Sequence, residues 1–268
     1  HASMLLALHG ADVIKIEPPE GDWGRALGEL KGDHCAHSVA FNRGKRSIAL
    51  DLKSADGIAV VKKLAAKAQV VMESFRPGVI QRLGFGYEDI KKINPNVIYC
   101  SVSGFGQTGP YSKRPTVDGL IQAFSGMMVM NKMPDGTPWR QGMIAVDVTT
   151  GLYTFQALAP ALMRQLRYGE GSYIDSSLMR AAAAFQGAKL MEWIFSKGAP
   201  PVLYMPAGSY KSKNGYIMVS AMRPHHFRLL FELKFKNLTF QSLYFALLEI
   251  LIHLLHFTII LGYTNSPK

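Results

Sequence analysis

The chain has 268 residues, 48% hydrophobic and 18% charged, with 30 Lys and Arg against 19 Asp and Glu for a net charge of +11. That length can bury a large core, and the composition is that of a globular protein rather than a disordered or fibrous one. Two cysteines give no disulfide framework and point to a reducing, cytoplasmic setting; basic residues scattered along the chain, not gathered into one block, argue against nucleic acid and suit a small polyanionic ligand or a solvated basic surface with no partner.

Residues 3–9 read as a helix, with Gly10 in the left-handed position that closes it. This opening lacks the basic stretch and cleavage site of a signal peptide and reads as the inside of a domain. Residues 11–17, ADVIKIE, form a strand that Pro18 and Pro19 end. A polar, Gly-rich loop through Asp33 carries Trp23 and Arg25 and is long enough to suggest function. His34, Cys35 and His37 form the one His/Cys cluster, HCAH; with no second pair at a finger-like distance, no metal site is expected.

NRGKRSIALDL, residues 42–52, leads from a basic turn into a strand, and Ser54 caps a helix over 55–68. The strand QVVMES, 69–74, completes a parallel βαβ unit. The loop FRPG, 75–78, leaves its carboxyl end, where open α/β sheets place ligands. Short helices over 79–83 and 87–94 precede VIYCSVS, 97–103, a buried strand. It runs into GFGQTG, with Gly104, Gly106 and Gly109 spaced as G-x-G-x-x-G. The following PYSKRP cannot open a helix and no second strand ends in an acid, so the pattern reads as a flexible active-site loop rather than a dinucleotide cradle.

DGLIQAFSGMM, 118–128, reads as one apolar helix, and Asp135-Gly136 as a turn. In IAVDVTTGLY, 144–153, a lone carboxylate, Asp147, opens a long helix reaching Leu166. Two roles fit it: a helix N-cap, or a nucleophile that attacks an activated acyl group. Asp175, in the strand 171–177, poses the same question, and beside Ser176 and Ser177 the cap is the better answer there. A helix over 178–196 follows, then a linker at 200–208 and a hairpin over 209–221 turning at Asn214-Gly215. Residues 238–263 are apolar and long enough to span a bilayer, yet Glu249, His253 and His256 would sit near the middle. A buried helix or a foreign tail is the better reading, and no membrane partner is expected. The fold class expected is α/β, a Rossmann-like parallel sheet with flanking helices over 1–199, followed after the 200–208 linker by a partial smaller domain over 209–268 with an atypical apolar tail.

Taken together, ADVIKIEPP, NRGKRSIALDLKSADG, VMESFRPGVIQRLGFGYEDIKKINPNVIYCSVSGFGQTGP and AVDVTTG resemble the class III CoA-transferases of the formyl-CoA transferase type, in order and spacing, over residues 4–222. The resemblance implies an interlocked homodimer with no permanently bound cofactor, acting on acyl-CoA and a small carboxylic acid. It makes Asp147 the nucleophile that passes through aspartyl anhydride and aspartyl-CoA thioester intermediates. Leu50, Ser74, Phe75, Val79 and Arg82 match its CoA-binding positions, with Ser74 where relatives often have Asn. By analogy, Gly104, Gly106 and Gly109 would supply donors to the anhydride oxyanions. In the related 2-methylacyl-CoA racemases a His would precede Asp118; here that position is Val117, which leaves racemisation short of a proton carrier. Against the family pattern the chain lacks a first strand and shows no match after about Glu232. A chain shortened at both ends is expected, with a non-catalytic CoA-binding relative as the alternative.

Overall fold

A computed structural model describes residues 1–133, 135–198, 206–226 and 228–229. The chain divides into two compact units, His1–Glu192 and Trp193–Lys268.

The first unit begins with α1 (Ala2–Leu8) and β1 (Val13–Glu17), with Gly10 in the left-handed region as expected. The long polar loop contains a 3-10 turn at Trp23–Ala26 and the two-residue strands β2 (Leu30–Lys31) and β3 (His34–Cys35). Its Arg25 grips the buried Glu17 with two hydrogen bonds of 2.7 and 2.8 Å, which hold that carboxyl down at about pKa 2. Cys35 is buried and exchanges capping hydrogen bonds with Ser38 at the start of α2 (Ala36–Asn42). The HCAH cluster is therefore a helix start.

β4 (Lys45–Ala49) pairs with β1 in parallel, and α3 (Ala55–Ala65) follows, with Ser54 Oγ accepting from the Gly57 N–H at 3.0 Å. Then come β5 (Val70–Glu73), α4 (Val79–Arg82), α5 (Tyr87–Ile93) and β6 (Ile98–Ser103). The expected βαβ unit of β4, α3 and β5 is not made as a ladder. β4 pairs only with β1, while β5 pairs with β6, and β6 with β7 (Ser172–Ser177). Hydrophobic periodicity fixes which residues are strands but not which edges meet, because pairing is settled by distant parts of the chain. Ile16 of β1, Leu50 and Leu52 just past β4, and Val71 of β5 all pack against one buried cluster around Val61, Ile90 and Tyr99, so the two sheets share a core.

β6 is the centre of the larger sheet and is buried on both faces. Val97 and Tyr99 face α3 and α5, alongside Val61, Ala65 and Ile90, whereas Ile98 and Cys100 face Leu6 of α1 and Leu158 of the long helix. This alternation follows from the two-residue period of a strand. The Tyr99 hydroxyl donates to the Phe85 carbonyl at 3.0 Å, so even the polar tip of the largest core residue is satisfied.

The apolar run after residue 118 is two helices, α6 (Asp118–Phe124) and α7 (Met127–Met130), separated by Gly126 at φ +82. A left-handed residue cannot continue a helix, and the apolar pattern runs straight through it. α8 (Ala145–Tyr168) is the long helix, closed by Gly169 at φ +68. The expected helix over 178–196 likewise breaks into α9 (Leu178–Phe185) and α10 (Gly187–Phe195), with Gln186 buried between them and its amide donating to Ser125 Oγ at 3.1 Å.

In the second unit, β8 (Ala207–Ser212) and β9 (Gly215–Ser220) form the hairpin. Ser212 pairs with Gly215, so the two-residue turn is Lys213-Asn214 rather than Asn214-Gly215. Most of the linker and the whole apolar stretch 238–263 lie outside the described residues. Among the described residues no helix is long and apolar enough to cross a membrane, and no group of three His, Cys, Asp or Glu side chains could hold a metal.

Candidate active site

The loops after β5 and β6 leave neighbouring parallel strands, with Glu73 in register with Ser101, so both emerge at the carboxyl edge of one sheet. The β5 loop carries Ser74 and Phe75, exposed to solvent, and the Phe75 N–H donates to Glu73 Oε2 at 2.8 Å. Gly78 at φ +87 turns the chain into α4, and Arg82 folds back towards it. Val79 is half-buried and Arg82 exposed. Leu50 is a core-packing residue, in the same apolar cluster as Leu83 and Ile58. The five positions matched to CoA contacts thus fall just past β4 and β5 and at the two ends of the short α4.

The glycine loop is tightly held. A Cβ at Gly104 would lie 2.0 Å from Thr116 Cγ2, and Gly106 and Gly109 sit at φ +93 and +94. The Gly106 N–H donates to Ser103 Oγ at 3.0 Å, and the Gln107 N–H to both oxygens of Asp175 at 3.2 Å. Asp175 also faces Arg180, 3.3 Å away. It caps no helix: Ser177 does that for α9, accepting from the Arg180 N–H at 3.2 Å. The cap expected of Asp175 is therefore replaced by a latch on the loop.

Phe105 of this loop and Ala145 of α8 both pack against one apolar cluster of Ile121, Met127, Val146 and Ala182, which ties the loop to the cluster that holds the first turn of α8. There Asp147 is the third helical residue and the N-cap position is Ile144, whose side chain makes no capping bond. The capping acceptor comes from another helix. Asp118 Oδ2 accepts from the N–H groups of Val146 at 2.8 Å and Asp147 at 3.1 Å, and Asp118 Oδ1 accepts from Gln122 Nε2 at 2.6 Å. Among the described residues nothing hydrogen-bonds to the Asp147 carboxylate, which stays open to solvent on one side. The protein packed around its other sides raises its pKa from 3.8 to about 6, and the Asp118 charge adds to the rise. The His1 side chain lies against Gly151, one turn along α8, with its Nδ1 buried. Asp118 and Gln122 escaped the sequence reading, although an Asp and a Gln four apart in an otherwise apolar helix signal a buried polar pair.

The whole first unit matches the family model described as CoA-transferase family III, which covers residues 1–242. The chain belongs to that family. It is 41% identical over 209 residues to the succinate–glutarate CoA-transferase of Agrobacterium fabrum, covering 75% of this chain and 52% of the relative. It is 45% identical over 193 residues to the acetyl-CoA:oxalate CoA-transferase of Acetobacter aceti, covering 71% and 50%. Among solved structures, a CaiB/BaiF family protein from Brucella suis matches with a TM-score of 0.78 at 36% identity, over 87% of this chain and 64% of that one. The chain therefore spans about half the length of the curated CoA-transferases it matches, and its mixed α/β architecture of parallel sheets flanked by helices is that of the CaiB/BaiF proteins.

Proposed function

We propose that this family III chain transfers CoA from an acyl-CoA to a carboxylic acid, with Asp147 as the nucleophile. The observation that carries the reading is the state of Asp147: a carboxylate at the head of α8, open to solvent and without a hydrogen-bond donor among the described residues, while its neighbour Asp118 does the capping.

The chemistry balances without a general base. An Asp147 oxygen attacks the thioester carbonyl, the C–S bond breaks, and CoA leaves as thiolate, giving an aspartyl anhydride. The thiolate attacks the aspartyl carbonyl and expels the donor acid, leaving an aspartyl-CoA thioester. The acceptor carboxylate displaces CoA to form a second anhydride, and the thiolate attacks the acceptor's acyl carbon to free Asp147. Each attacking group is already an anion. With a pKa of about 6 the aspartate is still about nine-tenths ionised at pH 7.

The loops at the carboxyl edge of β5 and β6 would hold the CoA moiety. In this reading Phe75 packs on the adenine, Arg82 meets a phosphate, and Ser74 and Val79 line the same path. The net charge of +11 suits a ligand with several phosphate charges. Donors to the anhydride oxygens would come from the glycine loop beyond Gln107, because the Gly106 and Gln107 N–H groups are already engaged. The interlocked homodimer and the cytoplasmic setting belong to the same proposal, and light scattering of the purified chain tests the first. The nucleophile is tested by incubating the chain with succinyl-CoA or acetyl-CoA, quenching with hydroxylamine and mapping peptides by mass. A hydroxamate at Asp147 is expected; CoA binding with Asp147 unmodified would reject the mechanism.

A further inference from the structure

We infer that Asp118 is a positioning residue for Asp147: it fixes the first turn of α8 and places a fixed negative charge beside the nucleophile, which favours neutral acyl-aspartyl intermediates. The inference rests on the proposed role of Asp147.

The first turn of any helix leaves N–H groups without partners, and an acidic side chain in that turn usually folds back onto them. Asp147 is well placed to do so, but Asp118 takes the N–H groups of Val146 and Asp147 first. Asp118 is only 5% exposed and is itself fixed. Gln122, fully buried, donates to its other oxygen, and Gln122 Oε1 accepts from the Gln141 N–H at 2.8 Å. Ile121, Met127, Val146 and Ala182 close an apolar shell beside the pair. The bond to the Asp147 N–H sets the backbone of the nucleophile, and occupation of the neighbouring donors keeps its carboxylate from being consumed as a cap.

The same contact has an electrostatic consequence. Two carboxylates held side by side destabilise each other's charge. Acylation of Asp147, as anhydride or thioester, removes one of the two charges and so relieves that repulsion. Among the described residues the side-chain charge that faces Asp147 is that of Asp118, from α6. Burial lifts the Asp147 proton affinity most, so removing the Asp118 charge should lower it in part and not abolish the shift.

The test is a ¹³C-carboxyl NMR titration of the whole chain, with the Asp147 resonance assigned through Asp147→Asn. Asp118→Asn keeps the shape and an acceptor oxygen but removes the charge. It is expected to move the Asp147 midpoint down by about half a pH unit or more, and to lower the fraction of Asp147 trapped by hydroxylamine under succinyl-CoA. An unchanged midpoint would overturn the inference. Should Asp118→Asn fail to fold, the wild-type titration decides: the Asp118 resonance must report a step at the Asp147 midpoint, and a flat Asp118 signal there sinks the pairing. Absence of wild-type acylation would reject the nucleophile reading, and with it the catalytic use of the contact, while the titration separately decides whether the two carboxylates are coupled.

Discussion

Asp147 and Asp175 look alike in sequence, each a lone acid at or before a helix, and the fold puts them in opposite circumstances. Asp175 is saturated: it accepts from the Gln107 N–H on both oxygens and faces Arg180, and so holds the glycine loop. Asp147 is left without a donor among the described residues because Asp118 has taken the N–H groups it would otherwise use. The difference teaches that the residue type does not decide between structure and chemistry; the supply of nearby donors does. An acid surrounded by donors is spent on architecture, and one deprived of them keeps its lone pairs free.

The sharpest way to break this contrast is to remove each acid in turn. Asp147→Asn should lower CoA transfer by roughly 10³-fold or more with little effect on CoA binding, since only the covalent path is lost. Asp175→Asn should cost about 1–3 kcal/mol of stability by urea unfolding and leave residual transfer, because it frees a loop rather than the reacting group. Equal losses of activity in the two variants would erase the distinction.

The loop side can be probed without touching either acid. Gly104→Ala would place its Cβ 2.0 Å from Thr116 Cγ2, so a destabilisation of about 1–3 kcal/mol is expected. Adding Thr116→Ser, which deletes that methyl, should recover much of it. Failure of the double variant to recover would show that the close approach of these two chain segments is not what demands glycine.

A smaller effect separates the acids by pH. The folded-state pKa of Asp147, about 6, lies above its ordinary 3.8, so the folded protein binds that proton more tightly than the unfolded one. The stabilising contribution of the protonated form is fully present below about pH 4 and is lost as pH rises through 6. Asp147→Asn should therefore raise Tm relative to wild type at about pH 8, and the gain should shrink towards zero near pH 4. A gain independent of pH would remove titration of Asp147 as its cause.

Much of the scaffold was legible in the sequence because its signals are local. Gly10 closing α1, Ser54 capping α3 and the unbroken apolar run of β6 are each decided within a few residues. The helix breaks at Gly126 and Gln186 were hidden by apolar periodicity that continues across them. The separation of β4 from β5 was hidden because strand pairing is set by the distant β1 and β6. The sequence singled out Asp147, the residue proposed as nucleophile, but not its circumstances: the acid that caps α8 stands 29 residues before Asp147. The latch on Gln107 lies 68 residues away in the chain, at Asp175. No window of local sequence contains either pair.

The central claim is that Asp147 carries the acyl group, and its oxygen atoms record the event. In the proposed sequence Asp147 gives one oxygen to the departing donor acid and regains one from the acceptor. A single turnover with an acceptor carboxylate labelled in both oxygens with ¹⁸O should therefore add about 2 Da to the peptide containing Asp147, and to no other aspartyl peptide. Labelled acceptor appearing as CoA thioester while the Asp147 peptide keeps its original mass would contradict the account.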